Sequence, residues 1–423
     1  MEAAVQHTSL PRAQGELKAL QVRWKMAKAK EYIMTDVELL HLLPDRNTVD
    51  TLVRLYFETC ETLFRILHAP SFWEEYQIFW ENPPTAARPA FVVLILLTMA
   101  SVSCVSLNEV PSYVGDSAVA RERAIVWIDV SECWLRRQSK KRAYLAIWQI
   151  RCLLLLAKQT NAVKKKQLWT ATGTLVREAM SAGFHRNLNQ LNLRMSPFDL
   201  EMRRRLWATI VEFELQASTD RGMPSATANL SMTFDTVLNI NDDELAVDCK
   251  TLPESRPLEE YTTCSYLHIS STSFPLRVTL NTIGNDASSP ISYEEVAGYE
   301  DAITQELEKL PRQVDPRNVG HLQGMPPMVR TLLDIQLRQF LLLLHAPFAR
   351  QAGLSLSLRS SPSMVVCMNI AATILEQHSK ITASGNLLLL LLRNDYLSSA
   401  LIMCQTMYNS ISLQSKPFEK PLS

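Results

Sequence analysis

The sequence predicts an all-α protein, a single large multi-helix domain of antiparallel packed helices, and three observations carry that prediction. Apolar side chains recur at i, i+3, i+4 and i+7 from one end of the chain to the other, the period of a helix with one buried face. Only 11 glycines occur in 423 residues, too few for a fold built on tight hairpins or glycine-rich phosphate loops. A hydrophobic fraction of 47% and a charged fraction of 20% suit a chain that buries a large core.

The elements follow in order. Residues 1–34 read as a basic leader, with Lys18, Arg23, Lys25, Lys28 and Lys30 in quick succession and few large apolar side chains. A continuous helix is expected through Val49, Leu52, Val53, Tyr56, Phe57, Cys60, Leu63, Phe64 and Leu67. Asn47 would cap it, and Ala69-Pro70 would stop it because proline disfavours helix at the residue before it. Ser71 and Glu74 have the S-x-x-E spacing of a capping box for the next helix. Further helices are expected near 90–107, 117–138, 142–160, 165–184, 197–218, 258–283, 292–309, 325–346, 363–382 and 386–412. Ser196-Pro197 supplies an N-cap followed by proline at the first helical position. The domain is expected over 35–412, with a tail at 413–423, and no fixed-period repeat is present.

Several function classes fit poorly. Lys plus Arg and Asp plus Glu both number 43, whereas a protein that grips nucleic acid by itself normally carries a basic excess to displace phosphate counterions. No signal-peptide pattern opens the chain. The eight cysteines lie at least 15 residues apart, which points to reduced thiols in a reducing compartment and to no bound metal. The uncharged run from Pro89 to Asn108 reads as a buried core helix, so no membrane is expected as a partner. No G-x-S-x-G, H-E-x-x-H, G-x-G-x-x-G or P-loop occurs. An all-α enzyme of terpenoid-cyclase type would want D-D-x-x-D to hold magnesium, but Ala246 stands where the third acid after Asp242-Asp243 belongs. That acidic pair reads instead as a solvated turn or a helix N-terminus. His68, His185 and His345 read as residues beside helix ends.

The tract from Trp169 to Pro224 is the most distinctive. On a helix through Met202, Leu206, Ile210 and Phe213, Arg203 falls at the apolar arc beside Trp207 and Glu214, and Arg204 and Arg205 point away. An arginine in an apolar setting needs a carboxylate or several carbonyls. Glu214 is about three turns from Arg203, too far to serve. Arg203 and Glu214 are therefore each expected to meet a charge on a neighbouring helix, with Arg177, Glu178 and Asp220 as candidates. Two readings follow: an ion-pair network that fixes helix register, or a cationic pocket for a small acidic effector.

These blocks resemble the fungal-specific transcription factor domain, the middle homology region that follows the binuclear zinc cluster in many fungal regulators. The residues that carry the resemblance are Trp169, Gly173, Arg177 and Ala179; then Gly183, His185 and Arg186; then Glu201, Arg203, Arg204, Arg205, Leu206 and Trp207; then Glu214, Gly222 and Pro224. Phe184, Ala208 and Met223 depart from the family pattern. The stretches Leu42 to Phe57, Ile66 to Phe72, Asn241-Asp242-Asp243-Glu244-Leu245 and Leu344-His345-Ala346-Pro347-Phe348 extend it over residues 35–410.

The resemblance implies a nuclear transcription regulator of a metabolic or secondary-metabolite gene set, with no catalytic residues. These signature residues would be structural or effector-sensing. Zinc is expected only in a six-cysteine module, and no cysteines here have the C-x2-C-x6-C spacing that module needs. DNA would then be reached only indirectly or through such a module, and a homodimer or a heterodimer with a zinc-cluster regulator is expected. The alternative is a partner-dependent co-regulator or dimerisation module that does not bind DNA itself. Lys140-Lys141-Arg142 and Lys164-Lys165-Lys166 read as solvated helix ends or as import signals.

Overall fold

Twelve consecutive residues, Phe91 to Val102, are buried along one helix, and that helix fixes the middle of the fold. A helix apolar on every side must be surrounded by protein. The computed structural model describes residues 15, 16, 18, 19, 36–82, 88–105, 112–138, 144–186, 195–228, 230, 236–286, 291–311, 325–353 and 362–414. Most of the basic leader, the cluster Lys140-Lys141-Arg142 and most of the tail lie outside them.

The described helices are α1 (Asp36–Leu40), α2 (Arg46–Glu58), α3 (Glu61–Phe64), α4 (Ala69–Glu81), α5 (Pro89–Val102), α6 (Val119–Arg137), α7 (Leu145–Thr160), α8 (Leu168–Ser181), α9 (Pro197–Arg221), α10 (Ser265–Asn285), α11 (Tyr293–Glu308), α12 (Pro327–Gly353), α13 (Pro362–Ala383), α14 (Leu388–Leu392) and α15 (Asp395–Gln414). The sheet among the described residues is one antiparallel pair, β1 (Tyr113–Val114) and β2 (Ser117–Ala118), with Tyr113 opposite Ala118. The all-α prediction holds.

Helix α5 packs against α1, α2, α6 and α7, and α7 in turn meets α8 and α9. From Arg205 to Leu215 every residue of α9 is buried, between α7 and α8 on one side and α3 and α10 on the other. One apolar cluster runs from Leu39 to Leu392, and a second gathers Leu280, Val296, Ile303, Phe340, Leu344, Cys367 and Ile374. Helices α10 and α12 contribute to both clusters and join them. No described helix is long and apolar enough to cross a membrane.

Several boundaries differ from expectation for identifiable reasons. Asp45, not Asn47, caps α2, accepting from the Thr48 N–H at 3.1 Å. The expected continuous helix through Leu67 breaks at Thr59–Cys60 and ends at Arg65, whose φ is +45°. There the Leu67 N–H donates to Glu61 Oε1 at 2.9 Å, so buried polar groups outweigh the apolar periodicity.

At α4 the cap is His68, whose Nδ1 accepts from the Ser71 N–H, and Ser71 lies inside the first turn. Helix α10 starts at Ser265, later than expected, because buried Asn239 gathers the preceding segment. Its amide donates to the carbonyls of Arg256, Pro257 and Glu260 and its oxygen accepts from Thr262 and Ser265. Helix α12 runs through Pro347 instead of stopping there, so His345 is buried mid-helix and not at an end. The last expected helix is interrupted at extended Arg393. Ser196 and Pro197 open α9 as expected, with Ser196 Oγ accepting from the Asp199 N–H at 3.0 Å.

Candidate functional site

Because α9 is buried on every side from Arg205 to Leu215, the charged residues of that stretch have to find partners inside the protein. Three polar centres result. The first joins α9 to the broken turn after α3 and to the acidic segment at 242. Arg205 is fully buried; its NH1 donates to Asp242 Oδ1 at 2.7 Å and its Nε to Glu201 Oε1 at 3.3 Å. Arg65 closes on the other oxygen of Asp242 and also donates to the Glu61 carbonyl at 3.2 Å. The Ala69 N–H adds a bond to Asp242 Oδ2 at 2.9 Å, and His68 Nε2 reaches the Asp242 carbonyl at 3.0 Å. Tyr56 donates to Glu61 Oε2 at 2.7 Å. Thr209 of α9 bonds the Phe64 carbonyl, tying α9 to the same turn.

The electrostatics follow from burial and proximity. Burial would raise the Asp242 carboxyl, but Arg65 and Arg205 outweigh it and hold it well below the usual carboxylate range. Burial pushes Glu61 up to about 8 against the pull of Arg65 and Tyr56. Burial also raises Glu201, despite Arg205 beside it.

The second centre is built on Glu214. Its Oε1 accepts from Ser218 Oγ at 2.8 Å and from the Ala226 N–H at 2.8 Å, and its Oε2 accepts from Ser225 Oγ at 2.6 Å. Trp169 Nε1 donates to Ser218 Oγ at 3.0 Å. Gly222 caps α9 at φ +61° and turns the chain back so that this loop reaches Glu214. The third centre is a bidentate pair: Arg277 NH1 and NH2 donate to Glu212 Oε1 and Oε2, each at 2.8 Å, and the Ser270 carbonyl accepts from NH2 at 2.7 Å.

The order of the three arginines is the reverse of that expected. Arg205 is the interior one, whereas Arg203 is half-buried, donating to the Ala182 carbonyl at 2.9 Å with its guanidinium 4.0 Å from the centre of the Phe184 ring. A carbonyl and an aromatic face replace the expected carboxylate. Glu214 likewise meets neutral donors in place of a charge. The candidate partners go elsewhere: Arg177 bonds the Gly173 carbonyl, Glu178 pairs with Arg151, and Asp220 accepts from Gln216 and Asn394. Arg204 lies near Glu201 at 3.7 Å. Trp207 is buried, with the His185 ring 6.4 Å from it, and Arg186 and Pro224 are exposed.

The acidic pair stands, as expected, at a helix N-terminus, a short 3-10 turn (Asp242–Glu244) capped by Asn241 and Glu244, with Asp243 exposed, but Asp242 is buried and is also the hub of the first centre. Sequence reasoning missed Arg65, Glu61, Glu212 and Arg277 altogether. The one available signal was an arginine inside an otherwise apolar helical stripe, the same argument that was applied to Arg203.

All eight cysteines are free, and Cys404 is the exposed one. No group of three or more His, Cys, Asp or Glu placed to hold a metal occurs among the described residues. The described body is built of packed helices with a single two-stranded pair. Residues 53–285 match the family model for the fungal specific transcription factor domain, and the chain belongs to that family.

Its relatives are transcription factors. It is 30% identical over 326 residues to transcription factor opdR of Penicillium oxalicum, covering 74% of this chain and 40% of opdR. It is 25% identical over 399 residues to the Zn(2)-C6 fungal-type transcription factor mpsB of Macrophomina phaseolina, covering 90% and 53%. It is 25% identical over 283 residues to the equisetin cluster transcription factor eqxF of Fusarium heterosporum, covering 65% and 40%. The chain thus spans between two fifths and about half of these relatives. No solved structure matches it.

Proposed function

We propose that this chain is the regulatory region of a nuclear transcription regulator that controls a secondary-metabolite biosynthetic gene set and performs no catalysis. The observation that carries the reading is the family match over 53–285; the engagement of Trp169, Glu201, Arg205 and Glu214 in buried polar centres is consistent with a structural part for those four. Both oxygens of Asp242 are engaged by arginines, so this carboxylate is not offered to a magnesium ion. The relatives' names, such as that of the equisetin cluster regulator, supply the class of target. DNA contact would come through a zinc-cluster module, since the cysteines of this chain are at least 15 residues apart and cannot chelate paired zinc ions.

The test is transcript sequencing after deletion of the gene. Coordinated loss or gain of transcripts from one contiguous biosynthetic locus, with the tagged protein in the nucleus, supports the reading, and an unchanged transcript profile overturns it. A gel shift with this chain alone separates the two routes to DNA. Specific retention at moderate salt contradicts the partner-dependent route, because a chain with no net charge lacks a general phosphate grip.

A further inference from the structure

A groove of about 730 Å³ opens between the end of α9, the middle of α12 and α15, a volume within the roughly 300–1,000 Å³ of small-molecule sites. Leu342, Leu343 and Ala346 of α12 form its apolar floor, and Leu401 and Ile402 of α15 its apolar wall.

The two ends of the groove carry opposite charges. At one end Asp220 accepts from Gln216 Nε2 and from Asn394 Nδ2, each at 2.7 Å. Both donors are neutral amides. Arg393, which acts on Asp220 through space, is itself engaged by Asp395 and by Gln216 Oε1. At the other end Arg350 and Gln405 line both the groove and a small dead end of about 20 Å³ beside Met364 and Cys367. Neither side chain has a hydrogen bond or an ion pair with another described residue. Gln405 follows Asn394 by eleven residues, about 16 Å of helix, so the carboxylate and the guanidinium are held too far apart to neutralise each other. An uncharged ligand lying along the floor would take water from both charges and return nothing to them. A ligand with the opposite split of charge pairs each end and covers the apolar floor between them.

We propose that this groove binds an elongated small molecule carrying an acid group at Arg350 and Gln405, an apolar middle over Leu342, Leu343 and Ala346, and an amine at Asp220. Asp220 lies fifteen residues beyond Arg205 on α9, and the site shares no residue with the three buried centres. Ligand binding is read without transcripts or DNA, so its failure and that of the regulatory reading are separable.

The test is isothermal titration calorimetry of the full chain with ω-aminoundecanoic acid, undecanoic acid and undecylamine, each below its micelle concentration. Wild type is compared with R350Q and D220N, two surface changes expected to leave the circular dichroism unaltered. The expected result is one equivalent of the amino acid bound, with affinity about tenfold weaker in each variant, as loss of a charge-assisted contact predicts. Undecanoic acid should lose affinity only in R350Q, and undecylamine only in D220N. As a second measurement, saturating amino acid should slow maleimide labelling of Cys404, the exposed thiol that lines the groove. A chain that binds none of the three probes overturns the proposal. So does binding that neither substitution weakens, or that leaves the labelling of Cys404 unchanged.

Discussion

Asp242 holds three parts of the chain on one carboxylate: Arg65 after α3, Arg205 on α9 and the Ala69 N–H that opens α4. Removing one partner of a buried ion cluster costs more than the cluster contributes, because it strands the others. D242A is therefore expected to destabilise the protein by about 3–5 kcal/mol in urea unfolding, with R205M milder because Asp242 keeps Arg65. Glu61 gives a pH test whose sign is fixed. Its folded value of about 8 lies above its ordinary 4.5, so the folded state holds its proton more tightly. The associated stability is complete below pH 4.5 and is lost as pH rises through 8. Asp242 acts oppositely, its folded value being depressed, so its contribution is lost as pH falls below the ordinary aspartate range. Urea midpoints should fall between pH 5 and pH 8 in the wild type, and the fall should be much smaller in E61Q.

At the scale of elements, the length of α9 is set by its ends: Ser196 and Pro197 start it, and Gly222 stops it in the left-handed region. A Cβ at Gly222 would lie 3.5 Å from Asn285 Oδ1, an ordinary contact. The cost of G222A is therefore the backbone one, about 1 kcal/mol, and G222N should cost less because asparagine tolerates φ near +60°. Thermal unfolding of the two variants side by side checks this. The helix start at Ser196 was legible in the sequence because a cap and a proline are local signals. The break after α2 was not, because Arg65, which ends α3, pairs with Asp242, 177 residues beyond it, while Glu61 is taken up inside by Tyr56 and the Leu67 N–H.

Across the whole molecule, burial is uneven. Helix α5 is buried from Phe91 to Val102, whereas α11 buries only Val296 and Ile303. Amides of α5 should exchange only through global unfolding and those of α11 through local opening. Hydrogen exchange read by mass spectrometry should therefore show the slowest peptides in α5 and markedly faster ones in α11. Equal rates in the two would contradict that ordering. The two apolar clusters share α10, α12 and α13, and Leu307 of α11 packs on both, so loosening α11 should be felt mainly in the second cluster, which holds its Val296 and Ile303, and leave the three polar centres on α9 intact.

The all-α class, the positions of most helices and the family were determined by the sequence alone, because apolar period, caps and motif spacing act over a few residues. Which arginine goes inside was decided only by the tertiary structure. Arg203, Arg204 and Arg205 are adjacent on one helix, and a wheel assumes a single buried face, whereas from Arg205 to Leu215 α9 is buried all round. Where every direction is interior, the partner chooses the residue: Asp242 and Glu201 draw in Arg205, while a carbonyl and the Phe184 ring are sufficient for Arg203.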